Sequence, residues 1–337
     1  MALPRKEYVK EGKEGVYHCF SRCVRRAFLC GRDPMTQRDF SHRKAWIVDR
    51  LRYLAAIFAI EVCAYAVMEN HYHSILRTRP DIVATWSDLE VATRWITLFP
   101  HHDGLKGPRE KKIAALIQNP ARIAELRNRL CSLSWFMGRL NEFIARAANK
   151  EDSVKGRFWE SRFKCMDLLD EAAVAACMVY VDLNPIRAGL ASMPEDSDFT
   201  SIQARIRAWA KETQEAEDIP DSSAPSSLWL CPVSSDTGRR GCLQMTESEY
   251  FDLVDRSGRI LRSGKRGVID PGLEPILLRI GVNPQAWMDT VSHFESRFRL
   301  AAGLLSSLRS FAEQLGKRWF TGVGAARIAF VAKPVSV

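Results

Sequence analysis

The stretch 64–77, AYAVMENHYHSILR, constrains this chain most. Two runs rich in β-formers, 61–68 and 71–77, flank Glu69 and Asn70, which supply a turn, so the pair predicts an antiparallel hairpin. Upstream, residues 15–22 (GVYHCFSR) alternate as a first strand. Residues 42–59 then place Trp46, Ile47, Leu51, Leu54 and Phe58 at helical spacing. Downstream, residues 132–148 form an amphipathic helix with Trp135, Leu140, Phe143 and Ile144 as its apolar side. RFWESRFKC, from Arg157, reads as a short aromatic and basic strand. A helical pattern follows within residues 168–190, with Asp167 or Asp170 as its N-cap. This β–α–β–β–α–β–α order predicts an α+β fold, a ferredoxin-like antiparallel sheet with helices on one face.

Residues 81–128 are helical in pattern but broken at FPHHDGLKGP, so they are expected to be a helical insertion in a first domain over residues 1–210. Residues 212–227 (ETQEAEDIPDSSAPSS) turn acidic and then Ser/Pro-rich, a linker composition, and 211–240 is taken as the linker. Helical text resumes over 241–325 and opens with a capping box, Thr246 and Glu249.

Four residues carry the chemistry. His71 and His73 lie two apart on a strand, so both imidazoles point to one face and can meet one metal ion, while Tyr72 between them faces the other side as packing. Such a pair alone is weak, since two histidines on a sheet surface also simply hydrogen-bond. Tyr180 and Asn184 lie four apart on one helix face. Val174, Cys177, Met178 and Val181 form the apolar stripe of that helix, and Tyr180 falls roughly 110° from its centre. Tyr180 is therefore a surface tyrosine or one presented to something. Asn184, just before Pro185, either completes a metal site through its amide oxygen or caps the helix. Arg157, Trp159, Arg162 and Lys164 alternate charge and ring, as a strand that engages phosphates and unpaired bases does, or as one with a buried aromatic side.

Composition narrows the partners. The chain has 337 residues, a net charge of +9 and 46% hydrophobic residues, enough for a sizeable core and basic enough to favour a polyanion. Nine scattered cysteines without a CxxC pair support neither a disulfide framework nor a zinc ribbon, and reduced thiols in a cytoplasmic protein are expected. The N-terminus lacks the apolar core of a secretory signal. The most apolar run, residues 53–68, is interrupted by Glu61 and too short to span a bilayer, so no membrane partner is expected.

Taken in order, three segments resemble a family. YAVMENHYHSILR is similar to the metal-binding strand of HUH-type single-tyrosine transposases, although Glu69 stands where that family usually has proline. LSWFMGRLNEFIARAANKEDSVKGRFWESRFK is similar to their helix followed by a basic aromatic strand. VYVDLNPIRAGL resembles their tyrosine segment, and the REP-associated branch of the bacterial insertion-sequence transposases is the closest in pattern. The likeness covers about residues 15–77 and 130–195.

It implies the HUH endonuclease fold, with His71 and His73 binding Mg²⁺ or Mn²⁺, Asn184 as a further ligand and Tyr180 as nucleophile. It further implies cleavage and rejoining of single-stranded or hairpin DNA through a 5′-phosphotyrosine link, the chemistry of DNA transposition. The covalent link stores the bond energy, which agrees with the lack of a GxxxxGK[ST] phosphate loop. Arg157, Trp159, Arg162, Lys164 and Arg187 are expected to contact DNA at single-stranded, hairpin or inverted-repeat ends. The stretch 239–337 holds 15 Lys and Arg against 9 Asp and Glu. There Arg256, Arg259 and Arg262, with Lys265 and Arg266 behind them, are expected to follow a duplex stem, or the region serves as a lid or homodimer module. Two rival functions stand beside this one: a metal-dependent hydrolase using water at the paired histidines, and a non-catalytic, domesticated nucleic-acid-binding protein.

Overall fold

Gly15–Arg22 forms strand β1 at the centre of the molecule, and its neighbours determine the architecture. The computed structural model describes residues 4–24, 29–34, 37–100, 107–218, 229–234, 239–263, 277–278, 282–318 and 321–330. After a short helix α1 (Arg5–Tyr8) and β1 come helix α2 (His42–Ile57), strand β2 (Ile60–Val67) and strand β3 (His71–Thr78). Four helices occupy the stretch read from sequence as helical: α3 (Pro80–Thr85), α4 (Asp88–Leu98), α5 (Arg109–Ile117) and α6 (Pro120–Leu130). Helix α7 (Leu133–Glu151), strand β4 (Lys164–Leu168), helix α8 (Glu171–Asp182) and the short α9 (Asn184–Arg187) complete the first part.

The sheet runs β2-β3-β1-β4, antiparallel at each of those pairings. This is the ferredoxin-like order expected from the β–α–β–β–α–β succession. The hairpin closes where Met68 N–H donates to the His71 carbonyl, around the predicted Glu69–Asn70 turn. A fifth, two-residue strand, β5 (Ala301–Ala302), adds to β4 in parallel and makes the sheet mixed.

The pleat sorts the helices onto two faces. Tyr72 points to one face, where its hydroxyl donates to Asn141 of α7, and α2 packs against α7 on that side. Ile47, Leu51 and Leu54 of α2 and Phe136, Met137, Leu140 and Ile144 of α7 are buried, at the i, i+3, i+4 spacing of an amphipathic helix. The apolar side of α7 is rotated from the one predicted, because Phe143 is exposed and Trp135 only half-buried. His73, the next residue after Tyr72, points to the other face and meets α8. The crossover helices thus share one face, and the helix carrying Tyr180 covers the other.

On that second face α8 is buried from Ala172 to Asp182, with no solvent-facing side. Asp170, one of the two predicted caps, accepts from Ala173 N–H. The sheet lies under the helix, and segments from beyond residue 200 lie over it. These are α10 (Ser201–Asp218), α11 (Glu247–Ser263) and α12 (Trp287–Arg297), followed by α13 (Leu305–Gln314) and α14 (Val323–Ala329). Thr246 and Glu249 form the predicted capping box of α11, each side chain accepting the other's backbone N–H. Of the predicted linker, 211–240, the first part instead continues α10 to Asp218, and 219–228 and 235–238 lie outside the described residues.

Asp182 holds this second layer together. Its buried carboxylate accepts from Ser201 Oγ, from Ile202 N–H at 3.0 Å and from the Tyr250 hydroxyl, joining α8 to α10 and α11. Asp182→Ala leaves the Ile202 N–H and the Tyr250 hydroxyl without this acceptor, and Ser201 Oγ with only its 3.3 Å bond to the Tyr65 carbonyl. Unfolding in urea is expected to show a loss of roughly 2–4 kcal/mol, well beyond that of an ordinary surface substitution.

Candidate active site

Cross-strand register assembles the floor of the site. Phe20 faces His73, Arg22 faces His71, and Lys164 faces Phe20, so β1, β3 and β4 present these side chains on the same surface of the sheet. His18, two residues before Phe20, belongs to that row, and its Nε2 lies 2.9 Å from His73 Nδ1. The rings of His18 and His73 stack at 5.1 Å, and the His71 ring stands edge-on to His73 at 4.9 Å. His71 Nδ1 lies 2.7 Å from Asn70 Oδ1. Each histidine of the pair therefore has Nδ1 engaged, and His73 Nε2 is buried without a partner.

The three imidazoles are neutral at neutral pH. Burial lowers His18 to about 3. Burial first, then the positive charges of Arg22 and Arg187, lowers His71 to about 4. His73 is pushed well below the usual range by burial, then by His71, His18 and the same two arginines. Neutral imidazoles are the form that coordinates a cation.

Above this floor the Tyr180 ring sits edge-on to His73 at 5.8 Å and to His18 at 6.1 Å. Phe294 of α12 covers its far side at 5.9 Å, and the ring is only 4% exposed. The hydroxyl donates to Glu295 Oε2 at 3.0 Å, and the Arg187 guanidinium lies over the ring at 4.3 Å. Burial, then the Glu295 charge, pushes the phenol well above its ordinary value, against the opposing pull of Arg187. Sequence periodicity placed Tyr180 off the apolar stripe, but α8 is covered all round, so the tyrosine is enclosed by α12 rather than presented on a free surface.

Tyr180 still lines a cleft of about 700 Å³, with Phe20, Lys164, Arg187, Glu295 and Arg299 among its walls. Three cationic side chains around one phenol make the cleft suited to a phosphate-bearing ligand.

The other predicted site residues lie in several places. Asn184 is buried one turn beyond Tyr180, its amide nitrogen has no partner, and it makes no hydrogen bond to either histidine. Arg157 and Arg162 are exposed, in a loop rather than the predicted strand, which begins only at Lys164. Trp159 packs on the Tyr72 side of the sheet, with its ring 5.5 Å from that of Tyr72 and its indole N–H donating to the Asn141 carbonyl. On α11, Arg256 pairs with Asp252 and Arg259 with Asp255 one turn earlier. The side chain of Arg262, and Lys265 and Arg266 altogether, lie outside the described residues.

His18 and Glu295 were not singled out from sequence. Period-two alternation in GVYHCFSR already placed His18 beside Phe20, but not the inward-facing side. Nothing local marks Glu295, which lies 115 residues from Tyr180.

No family model matches this chain, and no curated protein matches it. Among solved structures it is similar to a REP-associated tyrosine transposase bound to a REP hairpin. Identity is 14% and the TM-score 0.33, over 63% of this chain and 87% of that one. Among the described residues no helix is long and apolar enough to cross a membrane.

The buried histidines have a thermodynamic signature. Below pH 6.5 the unfolded chain takes up their protons while the folded chain does not, so stability falls as pH drops from about 6.5 toward about 4, the folded value of His71. His71→Asn is expected to flatten that decline, read as the urea midpoint against pH.

Proposed function

We propose that this protein is a metal-dependent DNA strand transferase, a single-tyrosine transposase of the HUH kind acting on single-stranded or hairpin DNA. The observation that carries this reading is the meeting of three distant segments at the Tyr180 ring: its one edge lies against His73 of β3, and with Lys164 at the start of β4 it lines a cationic cleft. These are the segments whose order resembles that family.

In the proposed reaction the Tyr180 oxygen attacks a phosphorus atom held in the cleft. A bond forms between that oxygen and phosphorus, the bond from phosphorus to the 3′-oxygen breaks, and the leaving oxygen takes a proton from solvent, giving a 5′-phosphotyrosine and a free 3′-hydroxyl. A phenol near pKa 10 is a poor nucleophile at neutral pH. Its proton already points at Glu295, the carboxylate placed to accept it. Arg187, over the same ring, favours the phenolate and, with Lys164 and Arg299, balances the phosphate charge.

A divalent ion fits the floor of this site. With Nδ1 of His71 and His73 committed to Asn70 and His18, the two Nε2 atoms are left to hold Mg²⁺ or Mn²⁺, and the unpartnered His73 Nε2 is the donor such an ion would satisfy. Bound there, the ion supplies Lewis-acid polarisation of the phosphate. Asn184 remains the proposed third ligand. His18 acts as a positioning residue by holding the His73 ring in the tautomer that frees Nε2.

The unit over residues 1–210 supplies the histidines and the nucleophile, and the region over 241–325 closes the cleft with Glu295 and Arg299. Exposed Arg157 and Arg162 extend the basic surface from Lys164 toward a hairpin stem.

Incubation with labelled single-stranded hairpin DNA and Mn²⁺ is expected to yield a covalent protein–DNA adduct on a denaturing gel. Tyr180→Phe lowers that adduct by more than about 10³-fold. Cleavage that survives the substitution without an adduct would establish the water-using hydrolase, and binding without cleavage the non-catalytic alternative. In the same assay His18→Phe is expected to raise the Mn²⁺ concentration for half-maximal adduct about 10- to 100-fold, with the fold retained.

A further inference from the structure

A cysteine of β2 and two from a later segment of the chain come together away from the cleft. The sulfurs of Cys63, Cys231 and Cys242 all lie within 4.8 Å of one another. Cys63 occupies the bulge in β2, where pairing with β3 jumps from Val62 to Ala64. A bulge redirects the side chain it carries. Cys231 N–H donates to the Val62 carbonyl at 2.9 Å, laying its segment along that strand. Cys242 and Leu243 N–H donate to the carbonyls of Pro232 and Val233, so Cys231 and Cys242 sit on two arms of one loop. Gly241 permits this closure, since a Cβ there would lie 2.4 Å from the Ser234 backbone.

Two buried arginines border the cluster. Arg77 donates to Cys231 Sγ at 3.1 Å. Arg205, wholly buried, donates to the carbonyls of Cys63 and Cys231 at 2.8 and 2.7 Å, and its Nε has no partner. Arg77 is ion-paired with Glu61 and Arg205 lies 3.7 Å from Glu247, so carboxylates share these two guanidiniums with the sulfurs. Three thiolates around a divalent ion leave one net negative charge to oppose the guanidiniums. Thiolate sulfurs around tetrahedral zinc lie about 3.8 Å apart, from bonds of about 2.3 Å, and small side-chain rotations close the remaining distance. Cys242 is partly exposed, which gives an ion a way in, and Met178 Sδ lies 3.7 Å from its sulfur on the remaining side.

We propose that Cys63, Cys231 and Cys242 together bind one zinc ion, which clips the loop carrying Cys231 and Cys242 onto β2. The site is structural and separate from the cleft, as none of its ligands lines that cavity. It stands whether or not the protein cleaves DNA.

Full-length protein, purified under reducing conditions, is expected to retain about one zinc per chain by elemental mass spectrometry. Titration of the zinc-free protein with Co²⁺ should give sulfur-to-cobalt charge-transfer absorption and the visible bands of tetrahedral, thiolate-rich cobalt. Cys231→Ser and Cys242→Ser lose both signals, whereas Cys131→Ser and His73→Ala retain them, with circular dichroism confirming that each variant is folded. The proposal is overturned if the reduced wild-type chain neither holds zinc nor develops the cobalt bands. Zinc retained in both cysteine variants, or a Cys231–Cys242 disulfide in peptide maps of the native protein, would overturn it equally.

Discussion

The carboxylate of Asp182 governs how the two layers of this protein meet. It is buried at the end of α8, and burial raises it to about 6 against the opposing hydrogen bonds of Ser201 and Tyr250 and the charge of Arg205. Unpaired, such a group would cost several kcal/mol. Here its acceptor capacity is taken up by donors from two other helices, so α10 and α11 can dock only where they meet it. That docking fixes α8 against the sheet, and Tyr180, two residues before Asp182, is placed with it.

The site built on this frame sets a neutral floor against a cationic wall. Burial keeps the imidazoles of His18, His71 and His73 unprotonated, and Arg22 and Arg187 reinforce this by making further positive charge unfavourable. Lys164, Arg187 and Arg299 line the cleft above. In the proposed reaction these cations would face the phosphate, and the imidazoles the metal ion. Glu295 is the exception, a carboxylate among cations, held to the one hydroxyl that the proposed reaction needs deprotonated.

Much of the first layer was readable from the residues. The bounds of β1, the hairpin around Glu69 and Asn70, the inward Tyr72 and the Asp170 cap rest on local rules of alternation, turn chemistry and capping, which need no knowledge of distant chain. The failures share a cause. The segment around Trp159 has the composition of a strand, yet its aromatics are consumed by packing against Tyr72 and Arg5, so the ladder starts only at Lys164. The apolar side of α7 rotated because the sheet and α2 together, not the largest aromatic rings, chose which side to bury.

The sequence by itself determined the succession of strands and helices, the direction of His71 and His73, and the separation of Tyr180 from Asn184 by one helical turn, because each follows from a repeat of two or 3.6 residues along contiguous chain. Only the tertiary structure decided that His18 would orient His73, that Glu295 would hold the Tyr180 hydroxyl, and that Cys63, Cys231 and Cys242 would converge. Those pairings join residues 55 to more than 100 positions apart, with the closest cysteine pair drawn together by a loop. No periodic pattern reaches across such spans. They are selected by which buried polar groups find partners when the layers close, and that is a property of the packed chain rather than of any segment in it.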